Sequence, residues 1–411
     1  MNIFRSLQYR NFKLFFYGQS VSLIGTWMQK TAVSWLVYRL TGSAVLLGIV
    51  TFVSLIPSLI LSPYAGSYID RHNRFKVLVN TQLVSMLQAG ALAAMIYFKF
   101  YNMSGIILLS LVQGITNAFD VTCRQSLMVE MVDNKDDLPN AIALNSTMTN
   151  LARIAGPAVA GIVLSTLGED VCFISNFLSY IAVLSCLFMM KLNTAVEIKP
   201  QKDIWTELKD GFHYVTADRE MSSLIILLTL SSLFVIPFNT LMPIFAKDLF
   251  HGTAKTFSWF ESMAGLGSVV SAVYMAQLKS YKSLVRITIA ASMIFGVSVL
   301  LLSYAHELPV ALIFMGMTGV GMMAQTSSIN TFIQTHSASH MRARAISYFV
   351  MAYQGMIPIG SLLVGLLAGA VGPKKAVAIE GVIGIAATLA FIIYRNRTAL
   401  GTKQTLAGTS M

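Results

Sequence analysis

Residues Gly66 to Lys76 read GSYIDRHNRFK, a tight cluster of charge set between two long apolar runs. A hairpin that only returns a chain across a bilayer closes with any short polar turn. This one opens on glycine, with an acid (Asp70) at its fifth position and bases (Arg71, Arg74, Lys76) at its sixth, ninth and eleventh. The runs on either side set the class. A helical membrane span needs about 20 mostly apolar residues. Runs of that kind fall at 12–38, 44–66, 76–98, 104–126, 140–167 and 171–190. After a polar stretch they resume at 221–246, 256–278, 284–304, 309–334, 345–370 and 373–394.

Composition agrees. The 411 residues are 55% hydrophobic and 11% charged, with a mean hydropathy of +0.67, where a soluble domain carries about 25% charge. Such a surface must meet lipid rather than water. The sequence therefore predicts an all-α integral membrane protein of twelve transmembrane helices in two six-helix bundles, both termini cytoplasmic. Phe12 to Tyr38 is too long for a signal peptide and contains Lys30, so it reads as a retained first span. The net charge of +11 needs no nucleic acid. With alternating spans, most Lys and Arg fall on the cytoplasmic side and few outside, the positive-inside pattern.

The expected organisation is an N-terminal bundle over 1–190, a cytoplasmic linker over 191–220, a C-terminal bundle over 221–394 and a tail over 395–411. In the linker, Trp205, Leu208, Phe212 and Val215 share one face of an amphipathic helix expected to lie along the membrane surface. Pro157 and Pro358 sit mid-span about half the chain apart, weak internal symmetry that fits two repeats. Cys123, Cys172 and Cys186 have no metal-like spacing and read as buried thiols. No His-Glu metal box, phosphate loop or Ser-His-Asp set occurs, so the expectation is a non-enzyme without metal or cofactor.

The loop closely resembles G-x-x-x-D-R-x-x-R-x-K, the segment between the second and third spans of major facilitator superfamily transporters. The likeness extends through Gly25–Gln29, Trp35–Tyr38, Leu40–Ser43, Ala118–Asp120, Arg124-Gln125, Asn140–Ser146, Asn150–Pro157, Asn330–Gln334, Arg342–Arg344 and Pro358–Ser361. It points to the branch of enterobactin exporters and drug:proton antiporters, and is more specific for fold than for substrate. Two departures stand out: the loop around Lys279 to Lys282 lacks the pattern, and Val121 to Cys123 replaces the usual proline before Arg124. The resemblance implies a cytoplasmic latch in which Asp70 caps the start of span 11 near Ala345. It also implies that Arg74 pairs with an acid on span 4, Asp120 first and Glu130 second. Arg71, Arg124, Glu130, Gly156 and Pro157 complete the gating set. Gly156-Pro157 resembles the family's antiporter motif, the sole sequence argument for export. Gly156, Ala160 and Gly161 form a small surface expected to meet Ala264, Gly265 and Ser268.

Ionisable groups within spans cost about 2.5–3.5 kcal/mol to insert and are usually functional. Asp120 and Arg124 are four apart and can pair on one helix. Asp120 reads equally as a proton carrier or as part of a permanent ion pair, with Glu261 a second proton candidate and Glu380 structural. Lys30 and Arg153 are cations suited to a carboxylate-bearing or otherwise anionic solute, with snorkelling or internal pairing as the alternatives. Gln29, Gln113, Asn117, Asn239, Gln325 and Gln354 are polar residues suited to orienting a solute. Trp27, Trp35, Phe234, Phe238, Met322, Met323 and Tyr353 suit an amphipathic one or simple packing. The expectation is a multi-pass secondary transporter of the bacterial inner membrane, a monomer in contact with lipid, exporting a siderophore or drug against protons. Import, lipid flipping and a non-transporting receptor are the rival readings.

Overall fold

The computed structural model describes residues 4–192, 204–278, 283–338 and 341–408; the side chains of 63, 70, 204–208 and 398–408 lie outside that description. After a short 3-10 turn, Arg5–Gln8, come α1 (Arg10–Thr41), α2 (Ala44–Arg71), α3 (Arg74–Tyr97), α4 (Met103–Leu127), α5 (Leu138–Thr166) and α6 (Glu169–Phe188). Then follow α7 (Ile204–Ala217), α8 (Arg219–Phe234), α9 (Met242–Ile244), α10 (Ala254–Ala276), α11 (Leu284–Tyr304) and α12 (Leu308–His336). The last are α13 (Arg342–Val350), α14 (Met356–Val371) and α15 (Pro373–Gly408).

The loop between the second and third spans is far tighter than its charge suggests. Helix α2 runs through Arg71 and α3 begins at Arg74, leaving His72 and Asn73 between them. Asn73 caps α3 by accepting from the Lys76 amide at 3.0 Å, which satisfies one of the first turn's free donors. His72 stacks on Tyr68 with ring centroids 3.9 Å apart. At the other end of α2, Gly42 takes the left-handed conformation that closes α1 (φ 61°), and Ser43 caps α2 by accepting from the Leu46 amide.

The seventh apolar run is not one straight helix. It leaves α-geometry at Ile236–Leu241, a 3-10 segment, and at Phe245–Leu249, a π segment. Pro237 and Pro243 lack the amide hydrogens that would continue the ladder. A second π segment, Met351–Gly355, joins α13 to α14, just before Pro358.

Ten helices among the described residues are long and apolar enough to span a membrane, where the sequence predicts twelve. Helices α1 and α10 fall short: the middle of α1 carries Gln19, Ser20, Ser22, Thr26 and Gln29 beside Lys30, and α10 carries Lys255 and Glu261. Large apolar side chains such as Ile60 (65% exposed) and Leu87 (66%) project outward, a surface that lipid rather than water solvates.

Backbone contacts divide the chain into two compact units: Met1–Pro200 with Met242–Ser262, and Gln201–Leu241 with Met263–Met411. In the first, α1 packs on α5 and α6, α3 on α4 and α6, and α2 on α4, around Phe12, Phe15, Ile69, Leu78, Leu127 and Leu187. In the second, α11 packs on α12 and α15. A separate cluster there holds Met221, Leu224, Leu228, Ile329, Ile333 and Phe391.

Helix α7 packs on its neighbour through a narrow stripe. Its buried residues are Gly211 and Val215, while Phe212 is exposed; Trp205 and Leu208 lie outside the described side chains. Gly211 allows α7 to lie against Tyr348 and Arg344 of α13. Arg344 then pairs with Asp210 at 3.1 Å, and the Tyr214 hydroxyl accepts from the Ala338 amide at 2.9 Å. The helix docks on protein because glycine, not a large apolar residue, marks its inner stripe.

Candidate functional site

A polar cleft opens in the first unit, lined by Gln19, Ser22, Thr26, Gln82, Gln113, Asn117, Asp120, Arg124 and Tyr180 among others, with an empty volume of about 320 Å³ including its open mouth. Helix α4 supplies Gln113, Asn117, Asp120 and Arg124 at spacings of four, three and four, so they share one stripe. Helix α3 meets it with Thr81 and Gln82, and α1 and α6 close it with Thr26 and Tyr180.

Asp120 is the best-tied side chain there. Its Oδ1 accepts from Gln82 Nε2 at 2.6 Å and from Thr81 Oγ1 at 3.4 Å, and its Oδ2 lies 2.8 Å from Arg124 Nε. The pair is only 12% exposed on each side. Its contact is ionic rather than a well-directed hydrogen bond, because Arg124 Nε has no acceptor in line. Gln19 Nε2, Gln82 Oε1 and Gln113 Oε1 are also buried without protein partners among the described residues. The cleft thus holds a carboxylate, a guanidinium and several uncommitted amide groups, which suits it to water, a proton or a polar solute.

Arg74 binds Glu130, the second of the two expected partners, at 3.1 Å, and the Cys123 thiol donates to the Arg74 carbonyl at 2.9 Å. Arg71 is exposed. The Asp70 side chain, and with it the expected cap on span 11, lies outside the described residues.

Gly156 packs against α1, where a Cβ would overlap Trp27 Cβ; Pro157 follows it inside α5. Gly161 meets Ser258 of α10, about two to three turns earlier than the expected contact. Ala264 and Ser268 instead face Gly319 of α12, with Ser268 Oγ donating to the Gly319 carbonyl at 3.3 Å. The small-residue surface is real, but α5 divides it between two helices and α10 turns the predicted residues toward a third.

Lys30 has an exposed surface and its ammonium lies 4.8 Å from the Trp27 ring centroid. It is nonetheless crowded by protein atoms, where Glu261 attracts it and Arg153 repels it. Arg153 is half-buried. These three charges form a second constellation, on α1, α5 and α10 of the same unit.

The remaining polar candidates separate. Gln29 is committed to helix packing: its Nε2 donates to Gln88 Oε1 at 3.2 Å, and its Oε1 accepts from Asn176 Nδ2 at 2.8 Å. In the second unit Gln325 is buried, donating to Ser231 Oγ at 2.8 Å, while Asn239 and Gln354 are exposed, the latter in the π segment. Trp35 and Phe238 are buried; Trp27, Phe234, Met322, Met323 and Tyr353 are half-buried. Cys123 and Cys172 are buried and Cys186 half-buried.

Sequence reading missed Thr81, Gln82, Ser85 and Gln88. Their positions i, i+1, i+4 and i+7 form one polar face in an apolar run, a periodic signal present in the chain. It also missed Asp137, which receives Tyr9 Oη at 2.8 Å and Gln8 Nε2 at 3.2 Å and pairs with Arg5. Ser6 adds a bond from its amide to Asn140 at 3.0 Å. The Asp137 carboxylate raises the Tyr9 phenol above its ordinary range.

Solved structures share the fold: the nucleoside transporter NupG superposes with a TM-score of 0.71 at 15% identity, covering 96% of this chain and 99% of that one. Among characterised relatives, the staphyloferrin A transporter of Staphylococcus aureus is 26% identical over 97% of this chain and 100% of its own length. Macrolide efflux protein A of Streptococcus pyogenes is 22% identical over 89% and 92%. The profile of the transmembrane secretion effector family matches residues 2–406. The chain belongs to that family of major facilitator transporters.

Proposed function

We propose that the protein is a proton-coupled exporter of a small amphipathic or anionic solute, a siderophore or drug, working by alternating access in a bacterial inner membrane. In this reading α1 and α10 also span, giving twelve spans with both termini cytoplasmic, and the working unit is a monomer. The observation that carries it is the Asp120 cleft: a nearly enclosed carboxylate held by Arg124, Gln82 and Thr81 beside uncommitted amides. Opening or closing such a cleft changes how well the carboxylate is solvated and paired, and so whether it holds a proton. That is the requirement for a carrier. Lys30 and Arg153, with Glu261 as their counter-charge, are the solute-binding candidates, because a carboxylate-bearing solute finds two cations there. Relatives named for staphyloferrin A transport and macrolide efflux support the solute class.

The test is paired metabolite profiling, inside and outside cells with and without the gene, in iron-poor and iron-rich medium. Export predicts a compound that accumulates inside and disappears outside when the gene is lost, and an iron chelator would identify the siderophore class. Depletion inside would reverse the direction. No change in any solute would favour a receptor.

A further inference from the structure

Glu380 stands apart from both constellations. It lies in α15, 3% exposed, and both of its carboxyl oxygens are buried without a hydrogen-bond partner among the described residues. The helix is pressed tightly against α11 at this point. A Cβ on Gly381 would lie 2.5 Å from the Leu300 amide nitrogen, and one on Gly384 would lie 3.2 Å from Gly296 Cα. Those two contacts run in opposite directions along the two helices, so α11 and α15 are antiparallel, and Glu380 is the residue just before the Gly381 contact.

Among the described residues no counter-charge reaches it. Helices α8, α11 and α14 and the Ile236–Leu241 segment pack on α15. Of these, α11 carries Arg286 and Tyr304, α8 carries Arg219 and Glu220, and the other two carry no titratable group. At 1.5 Å per residue the antiparallel register sets Arg286 roughly 20 Å from the Leu300 level. Glu220 is held at the far end of α15 by Arg395, at 3.8 Å, and Tyr304 is 66% exposed. On α15 itself, Lys374 and Lys375 are exposed. A buried carboxylate with neither ion partner nor donor bears the full desolvation penalty.

We propose that Glu380 is a proton-binding site of the second unit, separate from Asp120, that holds its proton for as long as α11 and α15 stay packed in this way. Releasing that proton requires the helix pair to part and water to enter, so protonation and this packing are linked. Below the ordinary glutamate value, about 4.3, the acid is neutral in both packed and parted chains and the packing is at its strongest. As pH rises above that value, the parted form gains by ionising and the packed form does not, so packing weakens with pH.

The test uses the full chain in lipid nanodiscs. Infrared spectra at neutral pH should show a carboxylic-acid carbonyl band in the wild type that is missing from Glu380→Gln and retained in Asp120→Asn. Melting temperature should fall from about pH 5 to pH 8 in the wild type, with a clearly smaller fall in Glu380→Gln. Glu380→Met keeps the shape without the amide and should also fold. Absence of the band, equal pH slopes in wild type and Glu380→Gln, or failure of both replacements to fold would each overturn the proposal. The last outcome counts because a neutral, partnerless acid has isosteric substitutes that preserve its packing.

Discussion

At the scale of single residues, Asp120 carries the sharpest expectation. Asp120→Asn keeps the shape and can still meet Gln82, but it removes the carboxylate proposed above as the proton carrier. Export driven by a pH gradient should fall by at least about tenfold, which corresponds to about 1.4 kcal/mol or more, while solute binding persists. Flux assays in proteoliposomes with and without an imposed gradient would separate the two; undiminished gradient-driven flux would dismiss Asp120 as the carrier. The two motif glycines should behave oppositely. Gly156→Val drives side-chain atoms into Trp27, and overpacking of this kind costs about 1–3 kcal/mol, visible as a lowered melting temperature. Gly66, first residue of the charged loop, has no neighbour within 4 Å of where a Cβ would sit. Gly66→Ala should therefore fold at least as well as the wild type, and a fall in its transport would locate the glycine's role in a different conformation.

At the scale of elements, the Arg5–Gln8 turn is tied to the start of α5 through Asp137 and Asn140. Asp137→Ala leaves Tyr9, Gln8 and Arg5 without their shared acceptor and should free the N-terminal segment, seen as faster amide exchange over residues 4–9. The Tyr9 phenol donates to Asp137 only while protonated, and its affinity for the proton is raised in the fold. Its contribution is present at neutral pH and is lost as pH climbs above the ordinary phenol value near 10, through the raised value in the fold. Tyr9→Phe should accordingly remove part of the alkaline loss of protection in this segment. Helix α7 meets α13 through Gly211, which offers a closer approach than any large side chain permits, and this leaves Phe212 exposed on the apolar stripe expected to lie along the membrane surface.

At the scale of the whole molecule, Lys30→Gln and Arg153→Gln should each raise the KM for an anionic solute severalfold and leave a neutral solute little changed. Measuring both solutes in one set of vesicles checks this; equal effects on the two would mean that the cations serve the scaffold rather than the cargo. Much of this molecule is legible in the chain itself. The membrane class and ten of the spans follow from apolar run length and charge spacing, which are local; the tightness of the hairpin at His72–Asn73 does not, because it depends on how far α2 and α3 extend into the charged loop. The pairing of Asp120 with Arg124 is equally legible, since four residues along a helix bring two side chains together whatever surrounds them. Which face of each helix meets which neighbour is a matter of tertiary packing alone. That packing gave Arg74 to Glu130, committed Gln29 to Gln88 and Asn176, divided the α5 glycines between α1 and α10, and enclosed Glu380 against α11. Rotation about a helix axis is fixed by contacts across the bundle, and a membrane span apolar on every side carries little amphipathic signal from which to read it.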